Sequence, residues 1–118
     1  MIPYETDLYA WAMEQAALVE KLSVPGLDSP HVADELRDVA KGCRRDLYDA
    51  LVMLGRLLCR GHSPDTGGVQ RCLRESPSLQ GELPLLIGEA ARDAYHLEVP
   101  AQLSKEALNS RLLNVCRL

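Results

Sequence analysis

The sequence predicts an all-α fold, a single-domain helical bundle of about four to five helices built around one long amphipathic helix. Three observations carry this. Leucine is the largest contributor to an apolar fraction of 47%, while aromatics reach only 4% and phenylalanine is absent. Leu and Ala lose little freedom in a helix, whereas residues that favour strands are scarce here. Proline and glycine cut the chain into segments, and within these the apolar residues recur every three or four positions. A chain of 118 residues also fits one domain and is too short for two comfortable cores. At this size folding removes roughly two-thirds of the unfolded chain's surface from water.

The first helix is expected from about Thr6 or Asp7 to about Leu22, with Tyr9, Met13, Ala16, Ala17 and Val19 at helical spacing. Val24-Pro25-Gly26-Leu27 then breaks it. For the second helix, Ser29 is the expected N-cap and Pro30 suits the first helical position. Val32, Leu36, Val39, Cys43, Leu47, Ala50, Leu54 and Leu57 advance by threes and fours, and Ala40, Leu51 and Leu58 widen the stripe. Unbroken to Arg60, this helix is roughly 46 Å long at 1.5 Å per residue. Gly42 or Gly55 would be the place for a bend, and Gly61 the stop.

The segment from His62 to Gly68 reads as a loop, followed by a short helix from Val69 to Glu75 that Ser76-Pro77-Ser78 ends. A further helix is expected from about Glu82 to about Leu97, with Pro84 in its first turn and Leu83, Leu86, Ile87, Ala90, Ala91, Ala94 and Tyr95 inward. Pro100 separates a last helix, capped by Ser104 and running to about Cys116.

Composition narrows the function classes. A net charge of −4 lacks the surplus of Lys and Arg that phosphate binding needs, so nucleic acid is not the expected partner. The apolar runs are too short to span a membrane, and Met1-Ile2-Pro3-Tyr4-Glu5 is not a secretory signal. A cytoplasmic location is expected. Cys43, Cys59, Cys72 and Cys116 contain no C-x-x-C pair, and reduced, mostly buried thiols are expected.

Tyr4-Glu5-Thr6-Asp7-Leu8-Tyr9-Ala10-Trp11, followed by Gln15-Ala16-Ala17, resembles the opening of the DUF29 family of bacterial, notably cyanobacterial, proteins. His31-Val32-Ala33-Asp34-Glu35-Leu36 is similar to that family's H-L-A-E-E-[IL] segment, and Arg44-Arg45 and Ser76-Pro77-Ser78-Leu79 fall in the family's order. The resemblance covers about residues 4 to 95. It departs between His62 and Glu75, too short for the family's usual middle segment with its tryptophan and E-Q-R-like stretch. It implies an α-helical fold and no particular activity.

Few residues carry visible chemistry. His31 and Glu35 lie four apart, so their side chains share one helix face, where an imidazole and a carboxylate would hold a metal or work as a base with its orienter. Asp7, Tyr9 and Trp11 join them as a candidate polar site if the polar ends of the first two helices meet. Cys59-x-x-His62, with Cys72 beyond it, has zinc-like local spacing but no fourth ligand nearby other than Asp65. Cysteine beside Leu57 and Leu58 reads first as an inert core thiol, and the aromatics of the first eleven residues read first as core pieces. Arg37, Lys41, Arg44 and Arg45 alternate with Asp34, Glu35, Asp38, Asp46 and Asp49, the pattern of a solvated, ion-paired face. There is no G-x-S-x-G elbow and no P-loop lysine after Gly67-Gly68. The leading expectation is therefore a non-enzymatic protein-interaction or regulatory module without a cofactor, binding a protein partner or itself as a homodimer. The rival is a small metal-dependent or hydrolytic enzyme centred on His31 and Glu35.

Overall fold

A computed structural model describes residues 1–117 and contains five helices with no strand among them. In chain order they are α1 (Leu8–Glu20), α2 (Ser29–Cys59), α3 (Gly67–Glu75), α4 (Leu83–Glu98) and α5 (Lys105–Val115), and a 3₁₀ turn over Pro77–Glu82 leads into α4. Each of the expected helices is present, with ends shifted by a residue or two.

The helix ends follow local chemistry. Asp7 caps α1 by accepting the Ala10 N–H at 2.8 Å, and Ser104 caps α5 by accepting that of Ala107 at 3.1 Å. The cap of α2 is Asp28 and not Ser29, which is the first helical residue. Ser29 is held otherwise, its hydroxyl donating to the Leu22 carbonyl at 2.9 Å across the turn. At the far end, Gly61 has φ +71° and its N–H reaches the Leu58 carbonyl, while the His62 N–H reaches that of Leu57. This paired arrangement closes the last carbonyls of α2, and it needs a residue that tolerates the left-handed region.

α2 has two halves with different neighbours. From Leu47 onward, Leu47, Leu51, Leu54 and Leu58 enter the main core with Val69, Leu79, Leu86, Ile87, Leu108 and Leu112. Gly55 is buried here against α4, where a Cβ would lie 2.9 Å from that of Ala94, so it serves a close helix contact within an uninterrupted helix. Before Leu47, α2 packs along α1, and the buried side chains of that contact are Ala12, Ala16, Ala33 and Ala40. Alanine lets the two helices approach closely but buries little else.

The long stripe therefore divides differently from its sequence pattern. Val32 and Val39 are 38% and 41% exposed, while their neighbours Ala33 and Ala40 are buried. In α1 the inward residues are Ala12 and Ala16, and Met13 and Ala17 face solvent. The antiparallel α1–α2 pair projects from the body as an arm. The molecule measures 61 × 25 × 17 Å with a radius of gyration of 17.3 Å, against about 13.5 Å for a compact chain of this length.

Candidate functional site

The arm is tied to the body at its base by Asp7. Beyond capping α1, the Asp7 carboxylate accepts the Ser78 N–H at 2.6 Å and the Ser78 hydroxyl at 3.0 Å. Ser76, buried, accepts the Tyr9 N–H at 3.1 Å. Tyr4-Glu5-Thr6-Asp7-Leu8-Tyr9 and Ser76-Pro77-Ser78-Leu79, about seventy positions apart, thus form one polar clasp. Tyr9 lies beside Arg44 and Glu82, which pair at 3.1 Å, and burial first, then the Glu82 carboxylate, raises its phenol above the ordinary value. Each acceptor of the clasp is occupied by a protein donor, so its chemistry is structural.

The five residues singled out from the sequence do not converge. Glu20, at the end of α1, pairs with Arg37 at 2.5 Å, so the end of α1 lies beside the start of α2. Asp7 and Tyr9, at the other end of α1, are on the order of 20 Å along the axis from that point. His31 is exposed and its imidazole pairs with Asp28, which raises the His31 pKa and lowers that of Asp28. Glu35 is exposed one turn on. Trp11 packs edge-on against Tyr4 with ring centroids 5.0 Å apart. Among the described residues no three His, Cys, Asp or Glu side chains come together as a metal site, Cys59, His62 and Cys72 included. The four thiols are free, and burial pushes each above its ordinary pKa, Cys116 to about 11. Such thiols stay protonated and unreactive at neutral pH.

Outside the clasp, a groove of about 570 Å³ runs between α2 and α4, lined by Tyr48, Met53, Asp93, His96 and Leu97 among others. The Tyr48 hydroxyl donates to Asp93, and this bond, then burial, pushes the phenol up to about 12. The Tyr48 phenol therefore stays protonated near neutrality and serves as a donor.

What the arm leaves open is a surface. Ala12 and Ala16 direct one side of α1 at α2, and the Glu20–Arg37 pair marks one edge of their contact. On the opposite edge lie Trp11, Leu18 and Leu22 from the first segment, seven and four positions apart, and Val32, Leu36 and Val39 from α2, four and three apart. These spacings keep Trp11 and Leu18 on one face of α1 and Val32, Leu36 and Val39 on one face of α2, while Leu22 follows just beyond the end of α1. Leu18 and Leu22 are 44% and 49% exposed. The valines were legible as apolar periodicity. That they face outward was not, because alanine next to each competes for the inward position.

The fold and its open surface define a helical domain with a projecting two-helix arm. Over residues 3–112 the chain matches the family model described as a domain of unknown function, DUF29. It belongs to that family, and the match reaches beyond the 4–95 span read from its motifs. No curated protein and no solved structure matches it.

Proposed function

We propose that this protein is a non-enzymatic protein-interaction module, regulatory in role, that engages a protein partner or a second copy of itself through the open apolar face of the α1–α2 arm. The observation that carries this is the exposure of Leu18, Leu22, Val32 and Val39 along an arm sealed mainly by alanines. Contiguous apolar surface of this kind, rimmed by charge, characterises contact sites more than free surface. The same reading keeps the protein cytoplasmic in a bacterial cell; among the described residues no helix is long and apolar enough to cross a membrane.

Native mass spectrometry on untagged protein purified from its own cells tests the proposal, with Val32→Ser/Val39→Ser as the control. Both valines are partly exposed, so the variant keeps its fold, which circular dichroism checks. A complex or dimer in the parent that is lost in the variant supports the reading. A strict monomer at high concentration and in extract removes it.

A further inference from the structure

The open face of the arm lies in the most acidic part of the molecule. Residues 1–40 hold eight acidic side chains against two lysines or arginines, whereas residues 41–118 hold nine against eleven. Two of these acids and a third just beyond them form a row beside the valines. Asp28, Glu35 and Asp46 are seven and eleven positions apart, two and three turns, so they share one flank of α2 outside Val32 and Val39. Glu35 and Asp46 have no ion-pair partner among the described residues. On the α1 side Glu14 borders the face, accepting the Ile2 N–H at 3.1 Å.

We propose that the occupant of this face is an amphipathic helix from a different protein, its apolar stripe flanked by lysine and arginine. This rests on the reading of the arm as an interaction surface and names its partner. Two antiparallel helices present a shallow groove between their apolar rows, and a third helix laid along it buries both rows at once. The 13 residues of α1 give a seat of about 20 Å, which a partner helix of about four turns fills. Lysine or arginine on its outer side would stand over Glu35 and Asp46, supplying charge complementarity and faster association. A second copy is the weaker occupant. A two-fold contact sets the same acidic surface on both sides, so a second copy brings no lysine- or arginine-rich flank to complement it.

The test uses the whole chain and two synthetic helical peptides of about 18 residues, without tryptophan, sharing one leucine stripe. One carries lysines on the flanks, the other glutamates. Trp11, the only tryptophan, is half-buried at one end of the face against Tyr4 and reports binding by its emission. The lysine peptide is expected to bind at least about tenfold more tightly than its glutamate twin, with the difference shrinking at high salt. Val32→Ser/Val39→Ser is expected to weaken it by about tenfold or more, and Glu35→Gln/Asp46→Asn to abolish most of the salt dependence. Equal binding of both peptides, no binding, or binding indifferent to these variants overturns the inference. A dimer of the free chain that Val32→Ser/Val39→Ser dissociates overturns it too, but leaves the arm as an interaction surface. Absence of peptide binding, dimer and cellular complex together removes both.

Discussion

Asp7 shows how much one side chain does here. Its carboxylate serves as a helix cap and as acceptor for two donors of Ser78, and it is only 7% exposed. Asp7→Ala would lose a cap contribution of about 1 kcal/mol and two part-buried bonds to Ser78 at about 0.5–1.5 kcal/mol each. The expected loss in urea unfolding is therefore about 2–4 kcal/mol. Ser78→Ala keeps the backbone bond and removes only the hydroxyl, so about 1 kcal/mol is expected. The double variant should cost less than the sum, since the hydroxyl bond is counted in both singles. An Asp7→Ala chain within 0.5 kcal/mol of the parent, near the usual scatter of surface changes, would refute the clasp. The start of the first helix near Thr6 or Asp7 was legible, because the signals that open a helix lie next to it in sequence. Its bond to Ser78 was not, since nothing local relates two residues 71 positions apart. Likewise the spacing of His31 and Glu35 was legible, but their distance from Asp7 depended on which ends of α1 and α2 meet.

At the scale of the element, α2 is continuous while its surroundings change along it. Its two glycines separate the two regimes. At Gly55 an added methyl would meet the Ala94 Cβ at 2.9 Å and the Leu112 Cδ1 at 3.5 Å, whereas at Gly42 it would meet nothing within 4 Å. Gly55→Ala should cost about 1–3 kcal/mol through overpacking, outweighing the better helix propensity of alanine. Gly42→Ala should gain about 0.5–1 kcal/mol, because a helical glycine carries extra entropy into the unfolded state. Thermal and urea unfolding of the two variants check this. Opposite signs are expected, and equal signs would mean that α2 and α4 do not approach as described.

For the whole molecule, the division between arm and body governs stability as well as shape. The body has a continuous core of leucines and isoleucine from several helices, while the arm is joined mainly through alanines and one polar clasp. Burial of alanine removes far less apolar area than burial of leucine, at about 25 cal/mol per Å². Hydrogen exchange should therefore show α1 and residues 29–42 opening at lower free energy than residues 47–58 and α4. Uniform protection across α2 would contradict this. An arm of low intrinsic stability is also one whose protection rises when a partner seats on it, which links this measurement to the proposed role.

Taken alone, the sequence determined the helical class, the number of helices, most of their ends and the acidic balance. These depend on caps, breakers and a 3.6-residue period, which act between residues a few positions apart. Family membership was legible for the same reason, through short motifs in order. The tertiary structure alone decided which flank of the long stripe is buried, that the two motifs form one clasp, and that the candidate polar residues stand apart. Ala33 and Ala40 turn inward because a second helix can come close only over small side chains. Val32 and Val39 are displaced to the open edge by that choice. Periodicity places both sets on neighbouring flanks of one helix, and only the position of the packed helix selects between them.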